Sequence, residues 1–148
     1  MTIQSIQLKI LCSFMMLLIL SCASGVRLED QNKSLMIIRQ GIEGVMGSAP
    51  RWISQNQREF HSHYFSRKDD PKFNPTTSRE RAYAKFLVLG DRRPYNVGID
   101  VIVQKRTPNG YEDVGSDEKL ALDLKKELKT RLNQSQDQMN VIDDFRAF

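Results

Sequence analysis

The sequence predicts an α+β fold: a two-layer sandwich in which an antiparallel meander of three to four strands is covered on one face by two helices. Three observations predict it. Apolar residues recur at helical spacing in two blocks, Leu35–Met46 and residues 120–132. Between these blocks lie stretches of period-two alternation, clearest over residues 95–106. The turns at 90–94 and 107–110 are too short for a crossover helix, so consecutive strands pair antiparallel.

Each element has its own signals. Ser34 is placed to cap a first helix whose apolar face is Leu35, Ile38, Ile42, Val45 and Met46. Gly47 followed by Pro50 stops it. Gly41 and Gly44 share a face of this helix, and each costs about 1 kcal/mol of helical propensity against alanine. Close approach to another backbone offsets that cost; a phosphate grip would need the glycines in a loop after a strand.

Residues 58–66 read as a strand, with Phe60 and Tyr64 on one face and His61, His63 and Phe65 on the other. Residues 68–78 are a loop broken by Pro71 and Pro75. Residues 81–89 make the next strand, with Ala82, Ala84, Phe86 and Val88 inward and Arg81, Tyr83 and Lys85 outward. Residues 95–106 follow with Tyr95, Val97, Ile99, Val101 and Val103 inward, and 111–114 add a short fourth strand. Ser116 then caps a second helix, with Asp117 and Glu118 in its first turn, Lys129 and Arg131 in its last, and Leu120, Leu124, Leu128 and Leu132 along its apolar stripe. Residues 133–140 read as a loop. Val141, Ile142, Phe145 and Phe148 resume helical spacing, and Phe145 and Phe148 are expected to dock on the domain or on a partner.

The N-terminus decides the compartment. Lys9 precedes an apolar run at 10–20, followed by Ser21, Cys22, Ala23 and Ser24. Eleven residues interrupted by Ser13 are too few to span a bilayer, which needs about 20. They suit a secretory signal: weak positive charge, apolar core, small residues at the cut. The cysteine placed after Ile19, Leu20 and Ser21 resembles the lipobox of bacterial lipoproteins. That resemblance implies cleavage before Cys22 and acylation of its thiol, palmitate included. Ala23, where the inner-membrane retention signal places Asp, implies an outer-membrane anchor facing the periplasm. Cleavage after Ala23 is the alternative and leaves a soluble periplasmic or secreted protein. Cys12 would leave with the signal, so Cys22 is the one cysteine remaining and no internal disulfide forms. The expected organisation is a signal peptide at 1–21, a polar tether at 22–33 and a single domain at 34–148.

Removing residues 1–21 from 148 leaves 127, enough for one core without metal or disulfides. Loss of Lys9 with them lowers the net charge from +4 to +3, too mild to argue for nucleic acid, and export removes that partner. Charge is uneven, however. Residues 51–93 hold ten basic side chains against five acidic, and 112–148 hold six against nine. Arg92 and Arg93 at a hairpin turn, with Arg79, Arg81 and Lys85 on the adjoining strand, are candidates for gripping an anionic lipid or glycan. Charged turns and edges also keep sheets from aggregating.

No chemistry beyond this stands out. His61 and His63 supply two imidazoles, short of the three or four ligands a zinc site needs, and read as a solvated strand face. No nucleophile elbow occurs. Asp113, Asp117, Glu118, Asp143 and Asp144 serve as turn, cap and surface residues, although a hydrolytic acid pair assembled from distant positions is a third alternative. The expectation is a non-enzymatic accessory or binding subunit without cofactor. Its partners are membrane lipid through Cys22, another envelope protein, or an anionic lipid or glycan.

Overall fold

The computed structural model describes residues 25–68 and 70–135. Cys22 and the signal segment, Phe145 and Phe148 lie outside them. Within them, six strands form one antiparallel sheet and two helices cover one of its faces. The strands are β1 (Val26–Gln31), β2 (Trp52–Ile53), β3 (Glu59–His61), β4 (Glu80–Leu89), β5 (Tyr95–Thr107) and β6 (Gly110–Ser116). The helices are α1 (Leu35–Met46) and α2 (Glu118–Gln134). The order across the sheet is β1-β5-β4-β3-β2, and β6 also pairs with β5.

β5 is the organising strand. It pairs with β4 along ten residues, from Leu89 opposite Asn96 to Glu80 opposite Lys105. Its other edge is shared: β1 pairs with Tyr95 to Ile99, and β6 pairs with Ile102 to Thr107. Its alternation is strict, so Tyr95, Val97, Ile99, Val101 and Val103 all face the helices and all are buried.

The polar tether expected over 22–33 is corrected here, because Val26–Gln31 is an edge strand. Two inward side chains, Val26 and Leu28, are its whole apolar contribution, and Arg27, Glu29 and Asp30 are exposed. Backbone pairing to β5 completes the strand. β2 is a further strand that the sequence pattern does not announce, two residues long with both side chains exposed.

α1 has the predicted bounds. Ser34 Oγ accepts from the Ile37 N–H at 3.3 Å, and Gly47 ends the helix in the left-handed region at φ 68°. α2 is capped by Asp117 rather than Ser116, since Ser116 is still paired in β6. It runs on through Asn133 and Gln134, which had read as loop. The two glycines of α1 face α2 at close range. A Cβ on Gly41 would lie 2.9 Å from Leu132 Cδ2 and 3.2 Å from Leu128 Cδ1, and one on Gly44 would lie 3.0 Å from Arg131 Nη1. The approach is therefore not of backbone to backbone: side chains of α2 settle against the bare α1 backbone, a contact that a Cβ would obstruct.

The strand expected over 58–66 is interrupted. His61 lies opposite Lys85, but Phe65, not Tyr64, lies opposite Ala82. Four steps of chain face three, so one extra residue is accommodated between them. Ser62 and His63 absorb it. Ser62 is buried; its Oγ accepts from the Ala84 N–H at 2.8 Å and donates to the His63 carbonyl at 2.8 Å. The inserted residue inverts the predicted facing: Phe65 packs against the core and Tyr64 joins the opposite face. It also separates His61 from His63, which had been expected on one side.

Packing at the helix crossing is open to a direct check. Gly41→Val adds two methyl groups where even a Cβ is crowded by Leu128 and Leu132. We expect a loss of about 2 kcal/mol in urea unfolding, against about 1 kcal/mol for Ser34→Ala at the cap.

Candidate functional site

The face of the sheet away from the helices is not a plain wet surface. Strand register places Trp52, His61, Lys85 and Asp100 in one row across β2, β3, β4 and β5. Arg81 and Gln104 form a second row, joined by Asp113 of β6. Rings and guanidinium groups interlock over these rows. Trp52 lies on His61 with ring centroids 4.6 Å apart, and His61 on Tyr83 at 5.2 Å. Tyr64 meets Tyr83 edge-on at 5.8 Å. The Arg51 guanidinium sits 4.4 Å from the Tyr64 centroid. Arg81 is clamped between two rings, 3.7 Å from Tyr64 and 3.6 Å from Tyr111. The result is a continuous ladder from Trp52 at one edge to Tyr111 at the other.

Hydrogen bonds fix the ladder in place. Arg81 Nε donates to Gln104 Oε1 at 2.8 Å, and its Nη1 donates to the Pro75 carbonyl at 2.8 Å. Gln104 Nε2 in turn donates to Asp113 Oδ1 at 2.8 Å. The Tyr111 hydroxyl donates to the Ser78 carbonyl at 2.6 Å. Arg51 Nε donates to the Ser62 carbonyl at 3.3 Å. Beneath these groups Tyr83 is only 8% exposed, although its strand position faces outward. That burial, followed by the field of Asp113, pushes its hydroxyl above the ordinary tyrosine value. Trp52 at the end of the ladder is 44% exposed.

One ionic cluster lies under the Trp52 end. Glu59 Oε1 is 2.9 Å from His61 Nε2 and 3.1 Å from Lys85 Nζ. A carboxylate only accepts, so Nε2 carries the proton. Hydrogen bonding from His61, and then from Lys85, holds the Glu59 carboxyl below the ordinary range against some desolvation. At the other end, Arg67 Nη1 donates to Asp117 at 3.0 Å and its Nη2 to Glu80 at 2.6 Å, tying the 66–79 loop to the start of α2. Asp117 is likewise lowered, first by the Leu120 N–H it caps and then by Arg67.

The anion candidates do not converge. Arg92 and Arg93 lie at the β4–β5 turn, whereas Arg79 and Arg81 lie at the opposite end of β4, about 30 Å away along the strand. Arg81 is clamped in the ladder and Lys85 is paired with Glu59, so neither projects freely toward an anion. Arg79 is exposed and lines a cleft of about 570 Å³ with Lys105 and Arg106. Arg51, Trp52, Tyr64 and Tyr111 were missed as site residues. Trp52 is brought in by β2–β3 pairing, Tyr111 by β5–β6 pairing and Tyr64 by the extra residue at Ser62–His63, none of which periodicity announces. Among the described residues no helix is long and apolar enough to cross a membrane.

Two measurements follow from this geometry. Arg81→Lys keeps the charge but loses the planar group that both rings hold, and we expect a stability loss of about 1 kcal/mol in denaturant titration. Glu59 and Asp117 have folded pKa values below their unfolded ones. Their contribution is therefore complete above the ordinary carboxylate range and is lost as pH falls through the lowered values. Thermal melts between pH 7 and pH 2 should show an acid-side decline that Glu59→Gln and Asp117→Asn each flatten. No protein-family model, curated protein or solved structure matches the chain.

Proposed function

We propose that this chain is a lipid-anchored cell-envelope protein whose folded domain is a non-enzymatic binding subunit, and that the ladder face contacts another envelope protein. The observation that carries the reading is the ladder itself. Trp, Tyr and Arg are the residue types that dominate protein-binding hot spots. Here three tyrosines, one tryptophan and two arginines share one face and are held in fixed geometry. Side chains already ordered by one another lose little further entropy when a partner covers them. The Cys22 lipobox supplies the anchor in this reading, with the outer membrane, periplasmic side, as its location. Several acyl chains are needed for durable attachment, since one holds only reversibly.

A second reading rests on the exposed basic cleft of Arg79, Lys105 and Arg106. It would make the chain a soluble secreted domain that takes an anionic lipid or glycan there.

Three experiments separate these readings. Palmitate labelling of the expressed protein is expected to mark the wild type and to vanish in Cys22→Ala; an unlabelled wild type defeats the anchor. A photo-crosslinking residue at position 52 is expected to trap a partner protein in intact cells, whereas one at Leu122 on the helix side is not. Once the partner is purified, Trp52→Ala should weaken binding roughly 30-fold, the effect of a 2 kcal/mol hot spot. Unchanged affinity in Trp52→Ala together with loss in Arg79→Ala would transfer the reading to the basic cleft.

A further inference from the structure

The helix side of the sheet is incompletely covered. α1 has 12 residues and so is about 18 Å long, while β5 has 13 residues and spans roughly 43 Å. Past the end of α1 a cleft of about 430 Å³ opens between the first half of α2 and β4. Six partly buried apolar side chains pack against the core, and five of them line this one cleft: Val45, Met46, Phe65, Leu120 and Leu124. Phe86, fully buried, also lines it. The unfinished part of the core is thus gathered in one place, with His63, Asp123 and Glu127 beside it.

We propose that this cleft is the docking site of the chain's own C-terminal segment, residues 136–148, with Phe145 and Phe148 as the inserted side chains. The segment starts in a defined place. α2 ends at Ser135, whose carbonyl accepts from Lys33 Nζ at 3.0 Å. The cleft lies along Leu120 to Glu127 of the same helix, about 12 to 22 Å back from that end. The thirteen residues after Ser135 reach about 20 Å at helical rise and about twice that when extended. Val141, Ile142, Phe145 and Phe148 share one face at helical spacing. The tether keeps the segment near its site at a concentration on the order of millimolar, which favours it over a free ligand. The cleft opens on the helix side of the sheet and the ladder on the other, and of the ladder residues only Tyr64 also lines the cleft, so crosslinking at position 52 and the test below read different surfaces.

The test compares the full chain with its Phe145→Asp/Phe148→Asp variant, which leaves every described residue intact. Unchanged Trp52 emission in the variant verifies the fold. We expect methyl resonance shifts confined to Val45, Met46, Leu120 and Leu124, a Tm lower by about 4 °C or more, and binding of an apolar dye by the variant but not by the wild type. A peptide of residues 136–148 added to the variant should reverse the methyl shifts. Identical spectra and Tm would overturn the proposal. So would equal dye binding by both proteins, which would mean an open cleft, or wild-type shifts that fade on dilution, which would mean a second copy's segment.

Discussion

Between His61 and Phe65 the chain takes four steps while β4 takes three. The extra residue inverts which of two adjacent aromatics faces inward. Tyr64 turns outward to lie between Arg51 and Arg81, and Phe65 turns in to line the cleft. Without it Tyr64 would face the core and Arg81 would have one ring instead of two. The buried Ser62 hydroxyl makes the irregularity tolerable, because it accepts from Ala84 N–H and donates to the carbonyl of His63. A buried backbone donor left without such a partner costs about 1–3 kcal/mol. One serine thus supports both faces of the sheet.

The ladder solves a problem that a half-covered sheet always has. A strand such as β4 carries Tyr83 and Leu87 outward, and apolar surface left in water gives back about 25 cal/mol for each Å². Covering it with a second pair of helices would need a longer chain. Here long side chains from β2, β3, β4, β6 and the loops lie down across the face instead. Arginine suits this better than lysine, since its planar group stacks between rings while its edge nitrogens still donate to carbonyls. Arg81 does both, with Tyr64 and Tyr111 on its flat sides and Gln104 and Pro75 at its edges.

Much of the fold was legible where the signal was local and periodic. α1, with Ser34 and Gly47 at its ends, is set by nearest neighbours. The inward row of β5 is set by an alternation sustained over nine residues. β1 escaped because an edge strand buried on one side needs few apolar residues, and VRLEDQ has two. β2 is shorter than one period of any pattern. Tyr64 and Phe65 were assigned to the wrong faces because alternation between two aromatics carries no phase; the phase comes from backbone pairing with Ala82. Arg79 and Arg81 are near Arg92 and Arg93 in sequence only, because a ten-residue strand carries its ends about 30 Å apart.

The glycines of α1 link helix packing to the cleft beyond it. Gly41 and Gly44 let α1 lie against Leu128, Arg131 and Leu132, so the helices are tightest over the second half of α2. Gly47, in a conformation that other residues rarely adopt, then ends α1 just past that crossing. A larger residue at Gly41 would push the helices apart where they meet, whereas Val45 and Met46, in the last turn of α1, border the cleft with Phe86 and Leu124. The same short helix that packs so closely at its middle therefore leaves Leu120 and Leu124 uncovered at its end. Their apolar surface stays partly wet unless another part of the chain, or another molecule, is drawn over it.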